Sequence, residues 1–95
     1  MSNKDAYEKK MEAKIEEWQA EIDRLKAKSK QQTADSEIDF NEKVEKLEQK
    51  QETARSDLEN IKNSSSDAWE DLKAGAEKAA NDLDDAIKSA KKQFS

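Results

Sequence analysis

Large apolar side chains recur along this chain at steps of three and four residues. From Tyr7 the path runs through Met11, Ile15, Trp18, Ile22, Leu25, Ser29, Thr33, Ser36, Phe40, Val44, Leu47, Gln51, Ala54, Leu58 and Ile61. It continues through Ser65, Trp69, Leu72, Ala76, Ala80, Leu83, Ile87, Ala90 and Phe94. Of the 18 large apolar residues, 16 fall on this path, and Met1 and Ile38 do not. Spacing of this kind places one apolar face on a helix, with a mean step of about 3.6 residues.

Two stretches interrupt the stripe. Residues 63–67 read Asn-Ser-Ser-Ser-Asp, a run of cap and turn formers. Asp67 and Glu70 stand at the spacing of a capping box. Acidic Asp67, Glu70 and Asp71 open the following segment and Lys88, Lys91 and Lys92 close it, as a helix dipole favours. A helix over 67–93 follows. The second stretch, 29–36, carries polar residues at stripe positions, with Lys26, Lys28 and Lys30 before and Asp35, Glu37 and Asp39 after. It contains no Gly or Pro, and Gln31, Gln32 and Ala34 suit a helix.

The expected fold is therefore all-α and a single coiled-coil domain over 1–95: a helix over 3–62, a turn at 63–66 and a helix over 67–93, paired as an antiparallel hairpin. The alternative is a three-helix bundle with an extra break near 30–36. In the hairpin, Phe40, Val44, Leu47, Leu58 and Ile61 meet Trp69, Leu72, Leu83 and Ile87. Tyr7, Met11, Ile15, Trp18, Ile22 and Leu25 then remain uncovered. Burying each is worth about 1.5–3 kcal/mol, so this reading assigns them to a self-association interface, with a dimer favoured. The bundle reading buries them internally.

Composition narrows the chemistry. The 95 residues include no His and no Cys, which removes the commonest metal ligand, the proton carrier of neutral pH and every thiolate. Carboxylate neighbours such as Glu16–Glu17 and Asp84–Asp85 point about 100° apart on a helix and do not converge on one proton or ion. No catalytic, cofactor or metal site is expected, and the chain does not read as an enzyme. Charged residues make up 43% of it, with a net charge of −5. Basic and acidic side chains are interspersed, which argues against nucleic acid, whose phosphates reward clustered Lys and Arg. A helix rich in Ala over 69–83 has a polar face too acidic for anionic lipid, which argues against a membrane surface. Pro is absent and Gly75 is the single glycine, so the high charge points to helices rather than disorder. Trp18 and Trp69 read as core anchors. Gly75 sits mid-helix at a cost of about 1 kcal/mol relative to Ala, either to admit a neighbouring helix or without consequence.

The strings Trp18-x-x-Glu21-Ile22-Asp23-x-Leu25 and Ala68-Trp69-Glu70-Asp71-Leu72-Lys73-x-Gly75, with Phe94 near the end, resemble a family of small coiled-coil proteins of proteobacteria and cyanobacteria. The resemblance implies a cytoplasmic helical protein with a connection to stress and no accepted activity. Late-embryogenesis-abundant and apolipoprotein-like helices are similar more faintly. The expected function is a non-enzymatic structural or interaction protein that self-associates and docks a helical partner. The alternative is a stress-protective amphipathic protein acting at membrane surfaces or on other proteins.

Overall fold

The computed structural model describes residues 3–31 and 33–93. Three helices, α1 (Asn3–Ser29), α2 (Ala34–Lys62) and α3 (Trp69–Gln93), pack lengthwise into a rod of 51 × 18 × 18 Å. The expected continuous helix over 3–62 is thus corrected to two, and the architecture is the three-helix bundle.

Side-chain caps and charge make this break without Gly or Pro. The Ser29 hydroxyl donates to the Lys26 carbonyl at 2.7 Å, and the Gln31 amide closes a turn on the Lys28 carbonyl at 3.0 Å. Thr33 then adopts an extended backbone (φ −65, ψ 161), and its hydroxyl accepts from the Ser36 amide at 3.4 Å. That is the geometry of an N-cap, worth about 1 kcal/mol. Lys26 and Lys28 lie in the last turn of α1, Asp35 and Glu37 in the first of α2, so both helix dipoles are complemented. The larger drive is tertiary: folding back covers the apolar side of α1.

The second turn differs in detail from its expected form. The Ser65 hydroxyl, rather than the Asp67 carboxylate, accepts a leading amide of the last helix, from Ala68 at 3.1 Å, and α3 begins at Trp69. At the end of α2 the Asn63 amide returns to the Glu59 carbonyl at 3.0 Å. The Lys4 ammonium reaches across from α1 to the carbonyls of Lys62 and Ser64, at 3.2 and 2.9 Å. A cation there stabilises the negative end of the α2 dipole.

Among the described residues, every buried side chain lies on the stripe. Along α2 the buried positions alternate in steps of four and three from Phe40 to Ile61, a heptad seam rather than the straight-helix average. Phe40, Ile22, Ile61 and Leu83 are the largest side chains fully enclosed. Phe94, a stripe position, lies outside the described residues.

Candidate functional site

Tyr7, Met11, Ile15, Trp18, Ile22 and Leu25, assigned from sequence to self-association, line the interior of the single chain, each at most 7% exposed. The correction has a simple cause. The break at Lys30–Gln31 lets α1 turn back, so α2 and α3 supply the cover that a second chain was expected to give. Phe40, Val44, Leu47, Leu58, Ile61, Trp69, Leu83 and Ile87, assigned from sequence to the hairpin core, are buried. Leu72 is not, being 39% exposed. A step of three from Trp69 turns the side chain away from the α1 side, whereas a step of four brings Lys73 over the rings. Its ammonium stands 5.6 Å from the Tyr7 ring centre and 5.8 Å from that of Trp69, whose own centres are 5.7 Å apart. The inward place is filled by a lysine whose cation faces aromatic π-systems, which an apolar pattern does not register.

Register between the helices is set by polar groups. The buried Gln51 side-chain amide donates to the Ile15 carbonyl at 3.2 Å, and Arg55 donates to Gln19 at 3.1 Å. Lys26–Glu48 at 3.2 Å and Lys62–Glu12 at 2.6 Å tie α1 to α2, and Lys91–Glu21 at 2.7 Å ties α1 to α3. These exposed pairs contribute little individually, but they repeat one antiparallel and one parallel register. The hydrogen bond that the Lys62 ammonium donates to Glu12 holds it above its ordinary pKa. Asp84 is held below the usual carboxylate range, first by its hydrogen bond from Lys88 at 3.0 Å, with the Trp18 indole also donating to it. That indole–carboxylate contact was not visible in the sequence, because it joins residues on different helices.

The Tyr7 hydroxyl is buried without a hydrogen-bond partner. Burial pushes its pKa up, and the charges of Glu77 and Asp57 push the same way. A shallow cleft of about 490 Å³ beside this ring is lined by Asn3, Ala6, Lys10, Trp69, Glu70 and Lys73 as well. The hydroxyl itself is sealed from solvent, so the cleft presents ring faces and ammonium groups rather than a reactive oxygen.

The seams that α1 makes are crossed by long side chains. The α2–α3 seam is lined instead by small ones. Leu47, Ala86, Ser89 and Ala90 border a cleft of about 200 Å³ with Lys43, Lys46 and Lys50 along one lip. A neighbouring cleft of about 300 Å³ holds Gly75 and Ala79, with Asp57, Asp82, Lys50 and Lys78 on its sides. Lys43 donates to the Gln93 side chain and closes one end. Lys46 and Lys50 make no ion pair among the described residues. A Cβ added at Gly75 would meet nothing within 4 Å, so the glycine does not serve close packing inside the chain.

Among the described residues, no helix is long and apolar enough to cross a membrane. No family model matches the chain, and neither the curated proteins nor the solved structures contain a match.

Proposed function

We propose that this chain is a non-enzymatic helical interaction protein that works as a folded single-chain bundle and offers its charged exterior to a protein partner. The observation that carries the reading is the exclusive use of the stripe. Every buried side chain among the described residues belongs to the one seam shared by α1, α2 and α3. The apolar face of α3, which a membrane-surface role would need, is engaged with the other two helices. The α1 set is engaged as well, so a second copy would have to meet the outer faces. A cytoplasmic setting belongs to the same reading.

The test uses the emission of Trp18 and Trp69, both 5% exposed. Mixed with vesicles of phosphatidylcholine and phosphatidylglycerol, the bundle is expected to keep its emission maximum and its cooperative melt. A spectral shift with loss of the melt would mean that α3 leaves the bundle for the lipid, and would overturn the reading in favour of a surface-active helix.

A further inference from the structure

We infer that the groove between α2 and α3 is a docking site for one amphipathic helix of a partner protein, its apolar face on the small side chains and an acidic flank on the lysine lip. The inference rests on the interaction-protein reading and names the surface it uses.

Three observations converge on this groove. Its floor is apolar and low: Ala79, Ala86 and Ala90 follow one edge of α3, and Leu72 stands exposed at one end of the same edge. Small residues allow two helix backbones to approach closely. Second, the lip is positive in a chain whose net charge is −5. Lys46 and Lys50 find no carboxylate among the described residues, although acidic residues outnumber basic ones on α2. Long unpaired cations beside apolar ground are suited to an anionic flank. Third, Gly75 occupies the middle of a helix turn where a methyl group meets nothing. Glycine there lowers helix stability without any packing return in the chain alone. A helix laid along the groove gives that position a neighbour.

The charge pattern also sets direction. The lysine lip spans Lys43 to Lys50 at the Gln93 end, whereas at the Gly75 end Asp57 and Asp82 are balanced by Lys50 and Lys78. The acidic flank of the docked helix therefore lies over the half of the groove nearest Gln93. From Gly75 to Gln93 the groove accommodates about 27 Å of helix, roughly five turns.

The test titrates the isotope-labelled full chain with two synthetic 18-residue helical peptides sharing one Leu/Ala face, one flanked by Glu and the other by Lys. The expected result is saturable amide shifts at Gly75, Ala79, Ala86 and Ala90 with the Glu peptide alone. Affinity should fall about tenfold or more in Lys46→Glu/Lys50→Glu and in Ala86→Glu, each first shown to keep the helical melt. The inference is overturned if neither peptide binds or both bind equally. Shifts mapping to the seams of α1, or variants that leave binding unchanged, overturn it too. So do concentration-dependent shifts of the same amides without peptide, which would make the occupant a second copy. These outcomes leave the vesicle experiment untouched, so loss of the groove and loss of the interaction reading are separately visible.

Discussion

The side-chain amide of Gln51, buried in α2, donates to the main-chain carbonyl of Ile15 in α1 at 3.2 Å. Gln51 is the only side-chain amide among the described buried residues, and it fixes which turn of α2 faces which turn of α1. The Ile15 carbonyl keeps its ordinary helical acceptor role without it, so removing Gln51 leaves no orphan on α1. Gln51→Leu is therefore expected to change stability by less than about 1 kcal/mol in either direction, because the apolar replacement recovers burial. Gln51→Ala loses both packing and the bond and should cost about 1–3 kcal/mol. Urea unfolding of the two variants separates them, and equal losses would contradict the role given to the amide.

Tyr7 carries a hydroxyl with no partner, so Tyr7→Phe removes a desolvated polar group while keeping the ring on Trp69. The variant is expected to be as stable as the parent or more stable by about 1 kcal/mol. A loss beyond that in chemical denaturation would reveal a hydrogen bond that the geometry does not contain.

The same hydroxyl gives a pH signature. Its pKa in the fold is raised above the ordinary value of 10.0, first by burial. The unfolded chain thus releases this proton at a lower pH than the folded one. Tyr7 contributes stability that is complete below pH 10 and is lost as pH rises through its folded pKa. Lys62 and Lys88, raised by hydrogen bonds to Glu12 and Asp84, act in the same alkaline direction. The comparison of wild type with Tyr7→Phe isolates the tyrosine. Tyr7 is the single tyrosine, so its ultraviolet titration should show a midpoint above 10, and a midpoint at or below 10 would contradict the burial.

Gly75→Ala is expected to raise stability by about 0.5–1 kcal/mol, since the added methyl meets nothing within 4 Å and helix propensity improves. A thermal melt that falls instead would show the position to be tighter than the backbone implies.

Thr33→Ala should cost about 0.5–2 kcal/mol through loss of the cap on the Ser36 amide, read from the same melts. No change would mean that charge reversal and tertiary cover alone hold the turn.

The seam was legible in the sequence because burial on a helix is periodic, and even its polar members Ser29 and Gln51 were on the path. The break before α2 was half-legible. Lysines followed by acids mark two helix ends, but the absence of Gly and Pro favours a continuous helix, and Thr33, which falls on the stripe by spacing, is a cap. Leu72 departs from the apolar pattern because the inward place falls one residue later, where the stem and cation of Lys73 fill it. The groove of α2 and α3 escaped the pattern altogether. It depends on which flanks face each other once three helices are assembled, and a stripe of core positions does not contain that information.

The central claim is that α1 folds back on α2 within one chain. The absence of cysteine makes paired spin labels at Glu16→Cys and Glu59→Cys specific, and both positions are exposed. Diluted with excess unlabelled chain, they should give a single electron–electron distance below about 30 Å, the reach of labels on adjacent helices packed 8–10 Å apart. A continuous helix over 3–62 would separate these positions by about 65 Å, and a distance near that value would contradict the bundle.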